Sequence, residues 1–178
     1  MSNNQTQNLI LLLEDSVIRF HSTTNNDERK NLDIFLSQSI STENIYIFKE
    51  ILFDSNSPYS KNYAANSLIK LITQNFISVN IQFKEELYTF LAEYIFKNSL
   101  SLFSTDLKFL FKSLIELLCR IVRVSFLQSN VFMVENLNHY LNGETNGDSI
   151  NSKTLTLLMI FSELLSQFQI SSLPPTNK

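Results

Sequence analysis

The chain has 178 residues, 44% hydrophobic and 17% charged, with 14 basic residues against 17 acidic for a net charge of −3. That length and apolar content support a packed core and exclude global disorder. A net acidic chain offers no overall positive field for nucleic acid, and a lone cysteine, Cys119, excludes a disulfide framework or a multi-thiolate metal site.

Residues 1–8 read as a disordered lead-in. Leu9, Leu12, Leu13, Val17 and Phe20 recur at helical spacing up to a polar break at 21–26. Asp27 and Glu28 then suit the positive end of a second helix, which continues through Leu32, Phe35, Leu36 and Ile40. Ser41 or Thr42 can cap a third, carrying Ile45, Phe48, Ile51 and Leu52. The punctuation at 54–58 predicts a fourth helix, with Ser57 as its cap and Pro58 in the first turn, where a missing N–H costs nothing. Its inner face is Ala64, Ala65, Leu68, Leu71 and Ile72, the alanine pair permitting close approach of at least two neighbours. Its outer face is predicted to hold Lys61, Asn62, Asn66 and Lys70.

Asn80 can cap a helix bearing Phe83, Leu87, Phe90, Leu91, Tyr94 and Ile95, and Ser104 or Thr105 leads into a long one at 107–124. This helix is apolar nearly all round except for a ridge of Lys108, Lys112, Glu116, Arg120 and Arg123 at spacings of three and four. A shorter helix from about Phe132 to Leu141 precedes a polar stretch that holds both glycines, Gly143 and Gly147. Hairpin turns and phosphate-cradling loops draw on glycine for positive φ, so a chain with none elsewhere is expected to be all-α. Asp148 or Ser149 opens the last helix, with Leu155, Leu158, Phe161, Leu164, Leu165 and Phe168 as its apolar set, and Pro174-Pro175 stops it.

Catalytic patterns are missing. His21 and His139 lie far apart and match no metal-ligand spacing, Cys119 sits mid-helix between Leu118 and Arg120, and no glycine-rich phosphate loop or nucleophile elbow occurs. The expectation is a protein that is not an enzyme and has no cofactor or metal. Neither apolar run, 9–13 or 107–124, is long or uncharged enough to span a bilayer, so the chain reads as soluble, intracellular and without membrane insertion. The 15 Phe and 6 Tyr mostly fall at core spacing, but Tyr59 and Tyr63 flank Lys61 and Asn62, a pattern suited to a protein interface. The ridge reads either as a solvated helix face tied by Lys112–Glu116 and Glu116–Arg120 pairs or as a contact for an acidic partner.

Helix pairs start near Leu9, Thr42, Asn80 and Val131, a spacing that overlaps the two-helix repeats of HEAT and armadillo proteins. A right-handed HEAT/armadillo-type α-solenoid of about four helical hairpins is the expected fold, spanning 9–170 with a disordered tail at 171–178. A compact helical bundle is the alternative.

The stretch Ser57-Pro58-Tyr59-Ser60-Lys61-Asn62-Tyr63-Ala64-Ala65-Asn66-Ser67-Leu68-Ile69-Lys70-Leu71 resembles the second HEAT repeat of exportins in the importin-β superfamily, most closely the exportin-seven branch. Glu28-Arg29-Lys30, the run Leu117 to Arg123 and the run Leu157 to Leu164 resemble family segments in the same order. Ser125-Phe126 departs from the Gly-Trp usual in the family, and family members are many times longer. The resemblance implies amino-terminal repeats that bind the GTPase Ran in its GTP form through the second helix of each pair. Carried over, those helices offer Lys61, Asn62, Asn66 and Lys70, then Lys108, Lys112, Glu116 and Arg120. It further implies a fragment of a nuclear export receptor shared between nucleus, cytoplasm and nuclear pore, with cargo and pore proteins as further partners.

Overall fold

The computed structural model describes residues 3–74, 80–125 and 147–172, and the side-chain surroundings of 5–74, 80–123 and 151–167. Every regular element in them is helical: α1 (Asn3–Ser22), α2 (Asn26–Gln38), a 3₁₀ turn (Thr42–Asn44), α3 (Ile45–Asp54), α4 (Pro58–Gln74), α5 (Ile81–Lys97), α6 (Ser99–Leu102), α7 (Lys108–Ser125) and α8 (Gly147–Ser172). No described residue has a positive φ, so nothing in the described backbone requires glycine. The expected hairpin start at Val131, the helix from Phe132 to Leu141, Gly143, His139, Phe126 and Pro174-Pro175 lie outside the described residues. Packing divides the chain into two units, Met1–Ser78 and Val79–Lys178.

In the first unit, α1 packs on α2, α3 and α4, and α3 packs on α4. Two successive helix pairs joined by loops of a few residues form it, a unit common to solenoids and bundles. Helix α1 is already helical from Asn3, earlier than the expected lead-in allows. Its buried side is Ile10, Leu13 and Val17, whereas Leu12, expected on that side, is 50% exposed. The Asn25 side chain caps α2 by accepting from the backbone N–H of Asp27 at 3.0 Å and of Glu28 at 3.2 Å. Glu28 also accepts from the Thr23 hydroxyl at 2.7 Å and from Arg19, and these two bonds hold its carboxyl below the usual carboxylate range.

The Ser41 side chain makes no cap bond; a 3₁₀ turn leads into α3, and Asn44 Nδ2 donates back to the Ser39 carbonyl at 2.8 Å. The expected Ser57 cap is present, its Oγ accepting from the Ser60 N–H at 3.2 Å ahead of α4. Ala64 and Ala65 are both fully buried, and α4 meets α1 on one side and α3 on the other, as the alanine pair predicts.

In the second unit, Asn80 caps α5 by accepting from the Gln82 N–H at 3.0 Å. Helix α7 packs on α5 and α8, and the short α6, which hydrophobic periodicity did not reveal, sits against α8. Phe111, 1% exposed, meets Phe103 edge-on with ring centroids 4.8 Å apart.

Helix α8 corrects the expectation most. Of its predicted apolar set, Leu155, Leu158, Phe161 and Leu165 are 47–64% exposed, and Phe168 lies outside the described side chains. The packed side is instead Ser152, Thr156, Leu157, Ile160 and Gln167. Hydrogen bonding makes that side tolerable. Ser152 Oγ meets Ser99 Oγ at 3.0 Å, and Thr156 Oγ1 donates to the Ser152 carbonyl at 2.8 Å. A polar group with a partner loses most of its burial penalty.

Cys119 is fully buried in α7 against α8, its Sγ 3.6 Å from the Ile160 carbonyl. Burial, reinforced by the carboxylates of Glu163 and Glu116, pushes the thiol up to about 12. The reactive thiolate is therefore suppressed. At pH 8, alkylation of the native protein by iodoacetamide is expected to be at least about a hundredfold slower than in denaturant. Mass spectrometry of timed reactions measures this, and comparable rates would show the α7–α8 seam to be open.

Candidate functional site

The eight sequence-predicted contact residues divide evenly between the units, four on α4 and four on α7. Each set stands on its own helix.

On α4, Lys61 was expected on the outer face, but it is buried. A loop of only three residues separates α3 from α4, so the start of α4 lies beside the end of α3, whose last carbonyls have no helical partner. Lys61 Nζ donates to two of these, the Leu52 carbonyl and, at 3.1 Å, the Phe53 carbonyl. Burial lowers its pKa from the ordinary lysine value, partly offset by the nearby charges of Asp54 and Glu14. Lys61 is a structural cap and is withdrawn from the candidate contacts. Asn66 and Lys70 are exposed, with Asn66 Nδ2 donating to the Asn62 carbonyl at 2.9 Å. Asn62 is half-buried, and its Oδ1 is buried with no hydrogen-bond donor.

Asn62 lines a cleft of about 260 Å³ between α1, α2 and α4, together with Phe20, His21, Asp33, Tyr59 and Tyr63. The His21 ring stacks on Tyr59 with centroids 4.3 Å apart, and Phe20 stands edge-on to His21 at 5.3 Å. Tyr63 donates its hydroxyl to the Leu36 carbonyl at 2.8 Å, and burial pushes its pKa up to about 12. Burial, and then the charge of Arg29, lower the His21 pKa, so the imidazole is neutral at pH 7. Sequence reasoning singled out Tyr59 and Tyr63 as interface residues, set His21 aside as matching no catalytic or metal-ligand pattern, and did not weigh Asp33. Their α1 and α2 positions carry no motif, and only the packing brings them to α4.

On α7 the ridge is present. Lys108 and Lys112 are exposed and Glu116, Arg120 and Arg123 half-buried, while Leu110, Phe111, Leu114, Leu117 and Leu118 are buried. Arg120 Nη2 pairs with Glu116 Oε1 at 3.8 Å, and Arg120 Nε is buried without an acceptor. Two of the five ridge residues, Glu116 and Arg120, are thus tied to each other, and the ridge's exposed charges are Lys108 and Lys112. Both stand in the first two turns of α7, and Lys108 is its first residue. Helix dipoles favour acids there, each worth about 0.3–1 kcal/mol, so Lys108 opposes helix stability instead of serving it.

Among the described residues no cluster of His, Cys, Asp and Glu could hold a metal ion, and no helix is long and apolar enough to cross a membrane. In comparisons with protein-family models, curated proteins and solved structures, the chain matches none.

Proposed function

We propose that this chain is a protein-binding module of HEAT type, a piece of an exportin-like nuclear transport receptor that engages Ran in its GTP form. The sequence resemblance to amino-terminal exportin repeats supports this reading. The observation that carries it is the exposed Lys108–Lys112 end of the α7 ridge, on the helix that the resemblance assigns to the GTPase. Two solvent-facing cations added to the positive end of a helix make a local positive potential on a net acidic chain, suited to an acidic partner surface. The mechanism is non-covalent. An interface that fits one nucleotide state better than the other shifts assembly by that difference in affinity. Export of protein cargo between nucleus and cytoplasm through the pore, with cargo and pore proteins as partners, belongs to the same proposal.

Immobilised protein is expected to retain GTP-loaded Ran and to release GDP-loaded Ran. The double variant K108E/K112E should weaken retention about tenfold, more at low salt than at high salt. Equal retention of both nucleotide forms would overturn the Ran assignment. Unchanged affinity of the variant would clear the ridge. A second reading, a helical scaffold for a partner unrelated to Ran, is favoured by the α1–α2–α4 cleft, whose Phe20, His21, Tyr59 and Tyr63 rings the Ran reading leaves unused.

A further inference from the structure

Helix α8 keeps a hydrophobic face turned to solvent, with Leu155, Leu158, Phe161 and Leu165 between 47% and 64% exposed. Thr154, Leu158, Phe161 and Leu165 follow one another at steps of four, three and four, the rhythm of a seam between two helices. The charged residues between 151 and 167 are Lys153 and Glu163 alone. Each stands seven positions from a buried residue, Ile160 and Thr156 respectively, which turns it to the packed side of the helix. On that side the Glu163 carboxylate accepts from Gln167 Nε2 at 2.9 Å and lies near enough to Cys119 of α7 to act on its thiol. The outward face is therefore free of charge. Its exposed polar members are small: Thr154, Ser162 and Ser166.

We infer that this face pairs with the α8 face of a second copy of the chain, antiparallel about a two-fold axis. Charge decides the occupant. A seam that selects a foreign helix carries flanking charges that match the partner and repel its own copy. The α8 face has none, so nothing on it refuses another α8. Each copy carries a net charge of −3, and this is a surface where two such copies meet without bringing carboxylates together. In the antiparallel order Leu158 meets Phe161 of the other copy and Leu165 meets the smaller Thr154, each contact occurring twice, with the helix dipoles opposed. A parallel order would set Phe161 on Phe161 and Thr154 on Thr154. The four exposed apolar side chains leave about 400 Å² in water on each copy, within the size of patch that marks an interaction surface. With the flanking polar residues, pairing buries about 1,000 Å² in total, the lower bound for a specific interface, so the dimer is a weak one. The inference stands apart from the Ran reading, which concerns the α7 ridge. Either can fail without the other.

The test is sedimentation equilibrium of the whole chain from about 5 µM to about 1 mM. The weight-average mass is expected to rise from 20.6 kDa towards twice that value, with a dissociation constant of about 100 µM. Because the contact is apolar, it should persist at about 0.5 M salt, where an association through charged residues weakens. L158K, a change at an exposed position that leaves the circular dichroism intact, should weaken the dimer at least about tenfold. L11K, at a residue 57% exposed on α1, and K108E/K112E on the α7 ridge should leave the mass curve unaltered. A mixture of T154C and L165C copies should join unlike copies by a disulfide in preference to like ones. Disulfides between like copies would overturn the antiparallel order. A monomer at every concentration, growth beyond two copies, dissociation by salt, or equal weakening by L11K and L158K would overturn the inference as a whole.

Discussion

Lys61→Glu is expected to cost the first unit about 3–5 kcal/mol, enough to unfold a domain of ordinary stability. The substitution places a buried carboxylate against the Leu52 and Phe53 carbonyls, which now receive an ammonium. Lys61→Met should cost less, about 1–3 kcal/mol, because it keeps the stem and removes only the donor. Lys70→Glu on the exposed side of the same helix should stay within about 0.5 kcal/mol. Urea unfolding followed by circular dichroism separates the three. The pH dependence has a definite sign. Because burial holds the folded-state pKa of Lys61 below 10.5, the unfolded chain binds more protons at this group between the lowered value and 10.5, and the Lys61 contribution to stability rises with pH across that window, against the opposite contribution of Tyr63, whose pKa is raised to about 12. Lys61→Met should remove this contribution, so the variant's stability should fall more steeply with pH across that window than the parent's. A Lys61→Glu protein as stable as the parent would show the cap to be dispensable. The result also bears on function, since lost Ran retention in Lys61→Glu would report unfolding and not a missing contact.

Phe111→Ala should remove about 3–5 kcal/mol from the second unit. The ring is 1% exposed and packs edge-on against Phe103, so truncation leaves a cavity and dissolves an aromatic pair. Phe111→Leu, which keeps most of the volume, should lose less than half as much. The same unfolding experiment measures both. A loss under about 1 kcal/mol from Phe111→Ala would mean that α5, α7 and α8 close around the space, contrary to the packing described.

How far the sequence carried can be seen helix by helix. The caps at Asn80 and Ser57-Pro58 were legible because a cap is a local device: one side chain meets N–H groups two or three residues on. The alanine pair in α4 was legible because small side chains at core spacing have few other uses. The α7 ridge was legible because its charges sit on a helix otherwise apolar. What failed had a common cause. The face of α8 was read from hydrophobicity alone, but a hydroxyl pair across α6 and α8 and a bond back to the helix carbonyl let Ser152 and Thr156 go inward. Lys61 was read outward for the same reason, since the carbonyls that receive it belong to a different helix. In each case a polar residue found its partner in tertiary structure, which spacing along one helix does not encode. The cleft belongs to this class, as His21, Asp33 and Asn62 meet only through packing. Helix α1 also begins earlier than its apolar pattern, since a polar first turn adds no buried residue to the periodicity.

A backbone without a single left-handed residue in its described portion leaves unusual latitude to evolution. Where turns demand positive φ, particular sites are tied to glycine or asparagine and become landmarks that persist as a lineage diverges. Here the demands are of volume and of polarity with a partner, and several amino acids meet each of them. A chain built this way can exchange most of its letters while its path through space hardly alters.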